Sequence, residues 1–219
     1  DLAEALSERA TAGYGKVFFT DCGSAAVEVA LKLSYQYRLQ TGQPQRHKFA
    51  TLANSYHGET MGALAVCGSE FYREPFSPLL MDVLELPTPV FDRHEHADLG
   101  ADLGADHPTT VLALEMLRKH ADTLTALVIE PLIQCAGRMT MTGSGFYRRL
   151  VEEAQKLGIH VIADEIAVGF GRTGSLLASD WPKVAPDLMC LSKGLSGGVL
   201  PLACVLIRGG FEEVFKGAP

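Results

Sequence analysis

Long apolar runs, paired cysteines and an excess of positive charge are all missing from this 219-residue chain. No stretch is apolar for long enough to cross a bilayer, and the opening DLAEALSERA has neither the basic nor the apolar region of a secretory signal. The cysteines Cys22, Cys67, Cys135, Cys190 and Cys204 are odd in number, scattered and never in Cys-x-x-Cys spacing, so they are expected as reduced core thiols of a cytoplasmic protein. With 19 Lys and Arg against 26 Asp and Glu, no basic cluster offers a footprint for nucleic acid or an anionic membrane surface. Small molecules are the expected partners. What remains is an ordinary globular composition, 47% hydrophobic and 21% charged, able to bury a sizeable core in one large domain. The chain starts without Met inside an apparent amphipathic helix and ends on FEEVFKGAP without a clear final element, so it is expected to be a fragment of a longer protein.

Apolar periodicity predicts strands at 16–20, 48–52, 83–86, 126–130, 159–164, 188–191 and 203–207, and helices at 24–39, 109–120 and 146–157. Strands alternating with helices imply right-handed crossovers, hence an α/β fold with a mostly parallel sheet and helices on both faces. In such sheets ligands lie off the carboxyl ends of the strands. Those ends carry Gly23-Ser24, Tyr56-His57-Gly58, Glu130, Asp164 and Lys193. Residues 87–108, with Pro87, Pro89 and an imperfect DLGADLGADH repeat, read as an exposed connector. Their His94, His96, Asp98, Asp102, Asp106 and His107 match no zinc or calcium spacing, and a solvated loop is the better reading.

Lys193 sits in LMCLSKGLSGGVLP, where a short apolar strand delivers one lysine into a turn kept free of bulk by Gly194, Gly197 and Gly198. A desolvated ammonium gives up its proton more readily, and the neutral amine is the nucleophile that condenses with an aldehyde. Taken alone, Ser-Lys-Gly is more simply a strand-end lysine reaching for water. Asp164 follows the apolar Val161-Ile162-Ala163, where a carboxylate is costly without a partner such as a protonated ring nitrogen; a turn-capping acid is the plain alternative. Gly23-Ser24 opens a helix, whose free amides suit a phosphate, although Ser24 as a simple cap explains it too. Tyr56 offers an aromatic face. An aldehyde-binding amine, an acid for a pyridinium, a phosphate cradle and a ring to stack on are together the requirements of pyridoxal 5'-phosphate. One rival stands: GFGRTG at 169–174 matches the dinucleotide fingerprint G-x-G-x-x-G after a strand, which would make the protein a nicotinamide-binding oxidoreductase. Against it, Asp164 to Val168 intervene after the strand and no apolar helix clearly follows.

DEIAVGFGRTG at 164–174 and LSKGLSGG at 191–198 resemble the class III, fold-type-I pyridoxal-phosphate aminotransferases, with further likeness in KVFFTDCGSAAVEVALK, NSYHGET and VIEPLIQCAG. The resemblance implies that the 219 residues are most of the large cofactor domain of a homodimer with shared active sites. An N-terminal segment and a C-terminal small domain would be absent. It implies that Lys193 holds the cofactor and moves the substrate proton, and that Asp164 pairs with the ring nitrogen. Gly23 and Ser24 would bind the phosphate and Tyr56 would stack on the ring, with His57 and Gly58 shaping that loop and Glu130 and Gln134 lining the site. Within the family, GSAAVEVALK, Ile166 and LSKGLSGGVLPLA favour the branch of biotin biosynthesis that aminates 8-amino-7-oxononanoate with S-adenosylmethionine; an ω-amino-acid or other class III transaminase is the alternative. Cys135 and Arg138 stand where relatives commonly carry glycine.

Overall fold

The fold was read from a computed structural model that describes residues 1–10, 13–91 and 104–216. Its centre is a seven-stranded sheet in the order β1-β9-β8-β7-β4-β2-β3. The strands are β1 (Tyr14–Thr20), β2 (Lys48–Leu52), β3 (Val83–Leu86), β4 (Leu124–Ile129), β7 (His160–Asp164), β8 (Leu188–Leu191) and β9 (Ala203–Arg208); β5 (Ile133–Gln134) and β6 (Thr140–Met141) form a separate antiparallel pair. β3, β2, β4, β7 and β8 pair in parallel. β9 runs antiparallel to both β8 and β1, so β1 points the same way as the parallel block. The carboxyl ends of β1, β2, β4, β7 and β8 therefore share one edge.

The helices are α1 (Leu2–Arg9), α2 (Gly23–Gln40), the short α3 (Met61–Ala65) and α4 (Glu70–Arg73), α5 (Pro108–His120) and α6 (Ser144–Lys156). Three- and four-residue spacing decides which face each long helix buries. α5 buries Thr110, Ala113, Leu114 and Leu117. α6 buries Phe146, Tyr147, Leu150, Val151 and Ala154 and is followed by Gly158 at φ 68°, the left-handed residue that stops a helix. Both lie on one side of the sheet, packed against Leu124, Leu127 and Ile129. α2 covers the other side, with Ala26, Val27, Ala30 and Leu31 against Ala126, Val128, Ile162 and Cys190. β4, buried at every position, is the strand that both layers close over. Each leucine or isoleucine fully buried there contributes about 1.5–3 kcal/mol.

The strand predictions hold within two residues, with one consequence: β4 stops at Ile129, leaving Glu130 just beyond the sheet. Phe211–Phe215 forms a 3₁₀ turn at the end expected to lack an element. α3, α4 and the β5–β6 pair were not foreseen; each is too short to show a period. Of the connector, His94, His96, Asp98 and Asp102 lie outside the described residues. His107 caps α5, its Nδ1 accepting from the amide of Thr109 at 3.1 Å. The cysteines divide differently from the expectation: Cys67, Cys190 and Cys204 are core thiols, whereas Cys22 is exposed and Cys135 half-buried, because both sit on loops at the strand ends. Among the described residues no helix is long and apolar enough to cross a membrane.

Candidate active site

A cavity of about 240 Å³ opens where those strand ends meet. Every loop along the shared edge reaches it: Gly23 and Ser24 after β1, Tyr56, His57 and Gly58 after β2, Glu130 after β4, Asp164 at the end of β7 and Lys193 after β8. Lys193 and Asp164, 29 positions apart in the numbering, become neighbours because β7 and β8 are adjacent and parallel, with Asp164 paired to Cys190.

Asp164 is 4% exposed. Its Oδ2 lies 2.7 Å from His57 Nδ1, and its Oδ1 accepts from the amide of Ile166 at 3.1 Å. His57 is itself buried, with Nε2 3.5 Å from Thr51 Oγ1, and Thr51 in turn 2.9 Å from Ser55 Oγ. A carboxylate left alone there would be expensive; with an imidazole N–H and an amide donating to it, the charge is held in place with lone pairs to spare. Lys193 begins a 3₁₀ turn at φ 42°, the left-handed region that costs a non-glycine residue about 1 kcal/mol or more. The sequence argument desolvated this lysine, but it is exposed on the cavity wall: Ser192 before it is buried, while glycines and an open mouth leave the amine in solvent.

The start of α2 is not capped by Ser24. The cap position is Cys22, which makes no side-chain hydrogen bond, so the first-turn amides keep no side-chain acceptor. Ser24 lies one residue inside the helix and its Oγ accepts from the amide of Glu59 at 3.3 Å. A side chain at Gly58, held at φ 126°, would strike that same Oγ, and one at Gly23 would meet Ile166 Cδ1 at 2.9 Å. Tyr56 lines the cavity; its hydroxyl donates to Glu59 Oε1 at 3.0 Å and its ring lies 4.7 Å from that of Tyr72. Burial and that bond push the Tyr56 hydroxyl up to about 12.

Glu130, 4% exposed, accepts from the amides of Tyr56 and Cys135, each at 3.1 Å. Burial pushes its carboxyl up to about 7, partly offset by His57 and reinforced by the negative charge of Asp164. Gln134 does not line the cavity. It is fully buried behind the wall, where its Nε2 donates to the carbonyl of Ala53 at 2.8 Å, because β5 turns it towards β2.

GFGRTG forms a closed turn rather than a helix start. Phe170, Gly171 and Gly174 have positive φ, Trp181 Nε1 donates to the carbonyl of Thr173 at 2.8 Å, and the next element is only the 3₁₀ turn Ala178–Asp180. Glu165 ties the far end, accepting from the amides of Ala178 and Ser179. No row of helix-start amides follows the glycines, so the dinucleotide reading lacks its pyrophosphate site.

The family Aminotransferase class-III matches residues 1–218. The chain belongs to that family. Among its relatives, the adenosylmethionine-8-amino-7-oxononanoate aminotransferase of Helicobacter pylori is 42% identical over 201 residues, which are 91% of this chain and 44% of that protein. The chain thus spans about half the length of the curated relatives it matches. An amine transaminase from an uncultivated Pseudomonas species, solved in its PLP-bound form, is 34% identical with a TM-score of 0.86, covering 99% of this chain and 49% of the other. The adenosylmethionine-8-amino-7-oxononanoate aminotransferase of Methanocaldococcus jannaschii is 30% identical at a TM-score of 0.86, covering 98% and 46%.

The residues around the cavity fit pyridoxal 5'-phosphate. An α-helix of 18 residues presents uncapped amides for an anion, Gly58 lets its loop pack directly against Ser24 at that helix start, and Asp164 is a buried acid with acceptor capacity remaining. Sequence reasoning missed Ile166, Ala167, Ala136 and Ser192 on the cavity wall. Ile166 and Ala167 had a signal, since they stand two and three residues past the strand-end Asp164, in the loop that turns over the site.

Proposed function

We propose that the protein transfers an amino group from S-adenosylmethionine to 8-amino-7-oxononanoate, giving 7,8-diaminononanoate, with pyridoxal 5'-phosphate held at Lys193. The observation that carries the reading is the single cavity that joins Lys193, Asp164 and the uncapped start of α2. When bound, pyridoxal 5'-phosphate would supply the electron sink for the pair left on a substrate carbon that loses its proton.

The chain's own groups divide the remaining work. Lys193 anchors the cofactor through its amine and, once released as the neutral base, takes the proton from the substrate carbon beside nitrogen and returns it to the product side. Its exposure on the cavity wall leaves room for that swing. Asp164, fixed by His57 and the Ile166 amide, holds the proton on the ring nitrogen. The amides of Gly23 and Ser24 would hold the phosphate, and Tyr56, on the cavity wall, would supply a ring for the cofactor to stack on. These residues would form the cofactor domain of a homodimer. Support for a second copy comes from apolar side chains beside the Tyr56 loop, Phe71 at 82% and Leu79 at 70% exposure.

Relatives named for this reaction favour these substrates. A second reading, another class III transaminase, is favoured by the likeness to an amine transaminase. Turnover by the full-length enzyme separates the two. Activity with S-adenosylmethionine and 8-amino-7-oxononanoate is expected, whereas activity with β-alanine and pyruvate but not with this pair rejects the first. In either case borohydride is expected to bleach the yellow colour and leave the reduced pyridoxyl group fixed on Lys193, and colourless protein that binds NAD would reject both.

A further inference from the structure

We infer that Glu130 is a positioning residue: its one carboxylate fastens the Tyr56 loop to the Cys135 loop and so sets the two walls of the cavity against the bound ring. The inference rests on the cofactor reading above and assigns a role to a side chain that touches no reacting atom.

Four hydrogen bonds join the loop after β2 to the segment that follows β4. Three of them lie behind the cavity: Gln134 Nε2 donates to the Ala53 carbonyl at 2.8 Å, and Asn54 Nδ2 to the Gly137 carbonyl at 2.7 Å and to Thr140 Oγ1 at 3.4 Å. Glu130 makes the fourth link and alone holds residues that line the cavity, with Oε2 accepting from Tyr56 and Oε1 from Cys135. Its backbone is anchored one residue beyond the fully buried β4. Both loops carry strain that such ties must hold, since Asn54, Leu132, Arg138 and Met139 all have left-handed backbones at φ between 55° and 66°.

A carboxylate can serve two amides because each oxygen accepts independently; protonation or amidation turns one oxygen into a donor and releases one loop. Burial is the largest influence on the Glu130 carboxyl; His57 from the loop after β2 pulls it down and Asp164 from the end of β7 pushes it up, and the thiols of Cys67 and Cys135 also feel its charge. The link is therefore expected to loosen as pH falls through about 7.

The test compares the full-length wild-type enzyme with Glu130→Gln by amide hydrogen exchange and by the pH profile of kcat. In the wild type, protection of the Tyr56 or Cys135 amide is expected to fall about tenfold between pH 8 and pH 6, with an acid limb in kcat near neutrality. In the variant both features are expected to be lost: protection is low and flat, and the acid limb disappears. Protection that stays constant with pH in the wild type overturns the inference, as does a variant with an unchanged kcat profile. Should Glu130→Gln fail to fold, the wild-type exchange profile decides alone. Borohydride labelling of Lys193 keeps the two readings apart: a wild type that takes up no pyridoxal 5'-phosphate sinks the proposed function, while the exchange data still judge the link.

Discussion

Replacing Glu165 by glutamine is expected to stabilise the protein above neutral pH and to leave it nearly unchanged in acid. Glu165 has no exposed surface, and its two oxygens accept from the amides of Ala178 and Ser179, each at 2.8 Å. Counting hydrogen bonds alone predicts the opposite result, because each charge-assisted bond is worth about 1.5–3 kcal/mol. Burial is the larger effect: it pushes the carboxyl from 4.5 up to about 7 although both amides pull it down. Between those values the folded protein keeps a proton that the unfolded chain has released. The stability Glu165 contributes is therefore whole below about pH 4.5 and is lost as pH rises through about 7. At about 1.4 kcal/mol per pKa unit, the loss comes to about 3 kcal/mol.

Glutamine reproduces the protonated acid, with one oxygen to accept one amide and no charge to bury. Urea unfolding of both proteins at pH 5, 6, 7 and 8 measures the difference while other titrating groups cancel. The two curves are expected to agree within about 1 kcal/mol at pH 5, and the variant to lead by about 3 kcal/mol at pH 8. A variant less stable than wild type at pH 8 would show that the amides, not burial, control this site, and would refute the reasoning.

Gly58→Ala is expected to cost about 2–4 kcal/mol in urea unfolding, since the new Cβ meets Ser24 Oγ at a backbone angle of φ 126°. Adding Ser24→Gly is expected to recover only part of that loss, because the angle remains; full recovery would place the whole cost in the clash. Arg138→Gly is expected to raise stability by about 0.5–1 kcal/mol, or about 2 °C in Tm, because an exposed arginine at φ 63° is replaced by the residue that adopts that angle freely. A lower Tm by calorimetry would mean that the arginine side chain makes a contact worth more than the backbone strain.

The strands were readable because β4, β7 and β8 are buried on both faces and appear as short continuous apolar runs. Their ends were readable for the same reason: a polar residue that closes such a run has nowhere to go but the edge of the sheet. The partners of those ends were not. His57 and Asp164 are 107 positions apart, and nothing local marks the histidine as the donor that holds the acid. Glu130 read only as a lining residue, because its two amide partners belong to two different loops. Ser24, expected at the phosphate, could equally be read as a helix cap, because sequence patterns do not show that the cap is Cys22, two residues earlier.

How Lys193 comes to face Asp164 is a question of register. LMCL is apolar throughout and buried at every position, so polarity cannot choose which pair of residues faces which layer. Volume has to choose. Leu188 and Cys190 pack towards α2, while Met189 and Leu191 join the cluster around Tyr14 and Leu177 on the opposite face. A slip of one residue would exchange the two pairs, forcing Met189 into the place of a cysteine beneath α2 and leaving a cavity on the other side, at a cost of several kcal/mol. It would also deliver Lys193 one residue early or late, pointing away from the acid. The small side chain of Cys190, which takes no part in the chemistry, is thus one of the features that place the amine and the carboxylate in the same cavity.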